Sequence, residues 1–159
     1  MGHAKFLSLL LVRAGPTEWD MQGRIAGAAD LPLTDGAESR LAAAGRPFVG
    51  SIAAVLSGPE LASQAAARAF GGKVKVRTSD RLQEVGMGLW EGMLAGDIEQ
   101  RYRSCYPEWR ADPGTVSIPA SEGMGAAQER LVKAVAGLAS KFASEAQHVA
   151  IVVRPTAWG

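Results

Sequence analysis

The chain is poor in the residues that most often declare chemistry: one cysteine and two histidines in 159 residues, with 17 Lys+Arg against 16 Asp+Glu. Cys105 alone forms no internal disulfide, and with His3 and His148 it leaves too little for a zinc site, so no metal or other cofactor is expected and a reducing cytoplasm is the default compartment. A formal charge of +1 gives no polyelectrolyte steering, and the sequence holds no basic run or zinc-finger spacing. Nucleic acid and anionic membranes are therefore poor partners. Long apolar runs are also lacking. The N-terminal run from Phe6 to Val12 is too short to span a bilayer, has no cleavage site and leads straight into Arg13.

What is present is alanine: 28 Ala against 35 Leu, Ile, Val and Phe. The core is expected to be thin and Ala-packed, which suits close approach of helices to a sheet. The length suits a single domain, residues 1–159. Phe6–Val12, Ser51–Leu56 and Val149–Val153 are continuous apolar stretches of strand length, each ending in a Gly or Pro loop, and Lys73–Val76 is a shorter candidate. Strands of that kind are buried on both faces of a parallel sheet. Between them lie helical patterns: Thr34 capping a helix that runs to Gly45, Glu60–Phe70, Leu94–Arg103, and a long one from about Ser121 with Met124, Leu131, Val135, Leu138 and Phe142 at helical spacing. The alternation predicts an α/β three-layer sandwich whose chemistry sits in the loops after the strands: 13–20, 57–61 and 154 onward.

Those loops carry a pattern. Leu11-Val12-Arg13-Ala14-Gly15-Pro16-Thr17 is followed by Gly23-Arg24-Ile25-Ala26-Gly27-Ala28-Ala29-Asp30-Leu31-Pro32-Leu33-Thr34, then Ser57-Gly58-Pro59, then Leu82-Gln83-Glu84 through Gly88-Leu89-Trp90-Glu91-Gly92. In order and spacing the chain resembles the histidine phosphatase, or phosphoglycerate-mutase-like, superfamily over almost its whole length. The resemblance implies a mostly parallel sheet and two-step phosphoryl transfer. A histidine in R-H-G attacks phosphorus, a second histidine and two arginines hold its oxygens, and a carboxyl group protonates the leaving group.

The departures fall at the site. Ala14 stands at the nucleophile position, Arg154 at the second histidine and Ala62 at or beside the second arginine; Asp20 replaces an asparagine, and Ala26 a polar residue. Arg13, Thr17 and Glu84 are retained, Glu84 at the place of the proton donor. The scaffold is kept while the phosphate-handling residues are lost, which implies a pseudoenzyme with no catalytic residues. It would act by binding a phosphorylated small molecule, inorganic phosphate or a protein partner. Arg13, Thr17, Glu84 and Arg154 are the candidate ligand contacts, with Arg13 and Arg154 able to clamp an anion together.

Blander roles stand beside these. Arg13 and Glu84 can be structural ion-pair partners, Arg154 can be exposed near a fraying end, and Trp90 can be simple packing. Cys105 and Arg110 lack the spacing of a cysteine phosphatase loop. An active phosphomonoester phosphatase or phosphoglycerate mutase with a non-standard site is the alternative function, and a purely structural subunit is a third. Members of the family usually continue past this point with another helix and often a strand, whereas this chain stops at Trp158-Gly159. The fold is thus expected to be C-terminally shortened, and an open sheet edge would favour a homodimer.

Overall fold

A computed structural model describes residues 7–142 and 148–155. His3, Phe6, Trp158 and Gly159 lie outside the described residues.

Four strands, β1 (Ser8–Arg13), β2 (Ile52–Ser57), β3 (Val76–Thr78) and β4 (His148–Val153), form one sheet in the order β1-β4-β2-β3, with every pair parallel. The apolar runs of β2 and β4 are central, and period-two alternation sends their side chains to two different cores. Val55, Ala150 and Val152 face α2 (Ala37–Gly45) and α3 (Leu61–Gly71), through Leu41, Ala66, Ala67 and Phe70. Leu56, Val149, Ile151 and Val153 face α6 (Met124–Phe142), through Leu131, Ala134, Leu138 and Phe142. Three layers result, and alanine is abundant where the helices lie against the sheet.

Alanine and glycine also set how closely α2 and α3 approach. A Cβ on Gly45 would overlap the Phe70 carbonyl oxygen, a backbone atom that cannot rotate away. Gly45→Ala is therefore expected to destabilise the fold by about 1–3 kcal/mol, read by urea denaturation, through overpacking of a close helix pair.

Four expectations shift. β1 starts at Ser8 and runs through Arg13. Thr34 does not cap α2: its N–H and hydroxyl both donate to the Pro16 carbonyl, and Gly36, in the left-handed region at φ 75°, opens the helix instead. β3 begins at Val76, because Val74 N–H closes a turn back to Gly71. The long helix starts at Met124, three residues late, since Ser121 and Glu122 donate to Ile118 and Gly86 and Gly123 turns the chain at φ 82°.

A further helix between the predicted ones was not foreseen. α5 (Cys105–Ala111) follows α4 (Ala95–Arg101) and accommodates Pro107 within its first turn, where a missing N–H costs nothing. Together with the 84–92 loop these helices bury a third cluster built on Val85, Met87, Trp90, Ile98 and Tyr106. Trp90 is its centre, ringed by Tyr102, Tyr106 and Trp109 at 5.5–5.9 Å between ring centroids. The packing role of Trp90 is the one the geometry shows.

Candidate functional site

The carboxyl ends of β1, β4 and β2 lie side by side, and the loops leaving them meet the third cluster. A cavity of about 150 Å³ opens between them, lined chiefly by Asp20, Arg24, Glu84, Met87, Trp109 and Arg154. Ile25, Ala26 and Pro155 complete its wall. The lining holds no imidazole, thiol or hydroxyl. Among the described residues no group of His, Cys, Asp and Glu is arranged to hold a metal ion, and no helix is long and apolar enough to cross a membrane.

Register explains which residues meet. Arg13 pairs with Val153, and the Ala14 N–H donates to the Val153 carbonyl at 2.9 Å, so Ala14 and Arg154 are neighbours at the ends of adjacent strands. Ala14 is 4% exposed and belongs to the apolar cluster beneath α2 and α3. The position that the resemblance assigns to a nucleophile is thus part of the core. Ala62 likewise is buried in α3.

Arg154 is not exposed near an end, as one reading of the sequence had it. Its side chain is 2% exposed and turned inward, with Nη2 3.1 Å from Asp20 Oδ2 and 3.4 Å from Oδ1, and Nη1 3.5 Å from the Gly15 carbonyl oxygen. Asp20 sits on α1 (Glu18–Met21), a single turn that follows Thr17. Oδ2 of Asp20 also accepts from the Thr17 N–H and the Thr17 hydroxyl, both at 2.6 Å, closing a capping box. Burial works to raise the Asp20 carboxyl, but the two Thr17 hydrogen bonds and the Arg154 guanidinium outweigh it and hold the group below its ordinary value of 3.8.

Arg13 does not join this set: it is exposed, lies outside the cavity lining and forms no ion pair with another described residue, Glu84 included. Its clamp with Arg154 is therefore not assembled. Glu84 is brought to the cavity, 2% exposed, with Oε1 accepting from the Val85 N–H at 2.7 Å. Its own N–H donates to Oε1 of Glu60, a buried carboxylate at the start of α3. Thr17 is present, but its hydroxyl is spent on Asp20. His148 opens β4 at the far end of the sheet, packed edge-on against Phe48 at 5.5 Å.

Sequence reasoning missed the Arg154–Asp20 pair and the contributions of Arg24, Met87 and Trp109. A signal for the pair was present: an amide replaced by an acid and an imidazole by a guanidinium are complementary charge changes. Arg24 is committed elsewhere, its Nε to Gln22 and its Nη1 to the Gly92 carbonyl at 2.6 Å.

The fold has close counterparts among solved structures. The chain is 25% identical to the α-ribazole phosphatase of Shigella flexneri, with a TM-score of 0.79 over 94% of this chain and 75% of that one. It superposes on the mycobacterial glucosyl-3-phosphoglycerate phosphatase bound to VO3 with a TM-score of 0.85 at 21% identity, covering 94% of this chain and 77% of that one. A curated relative, phosphoserine phosphatase 1 of Hydrogenobacter thermophilus, is 23% identical over 128 residues. That alignment takes in 79% of this chain but only 61% of the relative's length. The model of the histidine phosphatase superfamily, branch 1, matches residues 9–156, and the chain belongs to that superfamily.

Proposed function

We propose that this chain is a non-catalytic member of the superfamily, a single 1–159 domain that acts by binding rather than by phosphoryl transfer. The observation that carries this is what stands at and beside the cavity: its lining has no imidazole and holds a salt-bridged guanidinium at Arg154, while the neighbouring Ala14 is a methyl group buried in the apolar core outside that lining. Covalent phosphoryl transfer needs a lone pair that can attack phosphorus and later release it. Arginine, protonated at all working pH values, offers none. Asp20 is a poor substitute, since its carboxylate is stabilised by Thr17 and Arg154. Loss of one member of a cooperating catalytic set can cost roughly a million-fold in turnover, and here the nucleophile and its partners are missing together.

The ligand in this reading is a phosphorylated small molecule or a protein partner reached through the cavity mouth. A cytoplasmic homodimer completes it, supported by β1, an edge strand with Leu11 half exposed. The second reading, an active phosphomonoester phosphatase or phosphoglycerate mutase, is favoured by Glu84, a buried carboxyl group facing the cavity. Incubation with p-nitrophenyl phosphate and with radiolabelled phosphoester decides between them. The expected result is turnover at the buffer blank and no acid-labile phosphoprotein. Turnover that copurifies with the chain and disappears in Glu84→Gln would establish the enzyme instead.

A further inference from the structure

An anion site is a set of N–H and O–H donors converging on one point, backed by a cation, with no negative charge already there. The Thr17 N–H, the Thr17 hydroxyl and Arg154 Nη2 are such a set, and all three point at Oδ2 of Asp20, at 2.6, 2.6 and 3.1 Å. Accessibility matters as well. The Arg154 side chain is 2% exposed and that of Asp20 25%, so of these two lining residues Asp20 is the more accessible. Arg24, the other cation of the lining, is turned to Gln22 and the Gly92 carbonyl, while Glu84 adds a second carboxyl group.

We propose that Asp20 is the resident anion of the cavity, an intramolecular ligand that occupies the Thr17 and Arg154 donors and competes with any phosphate-class ligand for them. This rests on the binding reading above and adds its regulation: Asp20 sets the affinity. A phosphate group gains the donors only by displacing the carboxylate. Displacement is mechanically feasible, because α1 is four residues long and buries none of them. A site open for only a fraction of the time binds with its intrinsic dissociation constant divided by that fraction. If Asp20 fills the donors about nine-tenths of the time, removing its charge tightens phosphate binding about tenfold.

The test is titration with inorganic phosphate, followed by calorimetry and by thermal shift, with chloride at matched ionic strength as control. The unaltered chain is compared with Asp20→Asn, which keeps the shape and removes the charge, with Asp20→Ala, and with the double variant Asp20→Ala/Arg154→Met. Expected is a dissociation constant about tenfold lower or better in both single variants, with the gain abolished in the double variant. Equal constants for the unaltered chain and the folded single variants would overturn the proposal. So would no binding by those variants up to about 50 mM phosphate, or a gain that survives loss of Arg154. Should Asp20→Ala not fold, Asp20→Asn alone must show the gain. These are equilibrium measurements, so their failure leaves the absence of turnover standing, and turnover in the assay above leaves the competition intact.

Discussion

Trp90→Ala is expected to destabilise the protein by about 3–5 kcal/mol, the largest single effect on folding that the structure implies. The indole is 1% exposed, and its neighbours are three further aromatic rings, Tyr102 just after α4 and Tyr106 and Trp109 in α5. Helices of seven residues are marginal alone and hold their shape only through what they pack against. Removing the ring leaves a cavity that Tyr102, Tyr106 and Trp109 cannot all collapse into, because Tyr106 and Trp109 are already stacked on each other. Urea denaturation followed by far-ultraviolet circular dichroism measures the loss. A change below about 1 kcal/mol would mean that the third cluster does not hold the wall of the cavity.

The Arg154–Asp20 pair carries the second large effect. Asp20→Ala strips the partner from a guanidinium that water scarcely reaches, and breaking a buried pair from one side costs about 3–5 kcal/mol. The carboxylate is a quarter exposed and the cavity adjoins it, so the lower end, about 3 kcal/mol, is the expected value. Removing both charges, in Asp20→Ala/Arg154→Met, should recover most of that loss, since no buried charge is left unmatched.

The same pair predicts a pH dependence. Asp20 has a depressed folded-state value, so its contribution is complete above the ordinary 3.8 and is lost as the pH falls through 3.8 toward the lower folded value. Glu122, hydrogen-bonded and ion-paired to Arg130 and lowered from 4.5, acts in the same direction over a slightly higher range. Stability should therefore fall below about pH 4.5, and Arg154→Met should flatten the part of the curve below 3.8, measured as melting temperature against pH. A curve unchanged by Arg154→Met would show that the guanidinium does not hold the carboxylate ionised.

Both effects bear on function through the same few residues. Packing around Trp90 holds Met87 and Trp109 at the cavity wall, and Arg154 with Asp20 forms the charged part of the same lining. The superfamily scaffold persists here, and in the proposed reading its interior is rewired: the position that the resemblance gives to a nucleophile is a methyl group in the core, and Arg154 is balanced by the chain's own Asp20.

The amino-acid order alone determined the layers of the fold. Continuous apolar runs at the positions of β1, β2 and β4, with helical spacing between them, leave few arrangements besides a parallel sheet covered on both faces; β2 and β4 do bury both sides, whereas β1, at the edge, is only partly buried, contrary to the expectation for its run. It also determined that Ala14, Ala62 and Arg154 cannot perform nitrogen-based phosphoryl transfer, since that follows from side-chain chemistry and needs no coordinates. Only the tertiary structure decided which charges meet. Arg13 and Arg154 stand at neighbouring strand ends, yet one side chain turns to solvent and the other inward, a difference set by strand alternation and local packing rather than by residue type. The α5 helix with its proline, the aromatic ring around Trp90, and the convergence of Thr17 and Arg154 on Asp20 depend on contacts between distant segments, 134 residues apart in the last case. Local periodicity carries no record of such contacts.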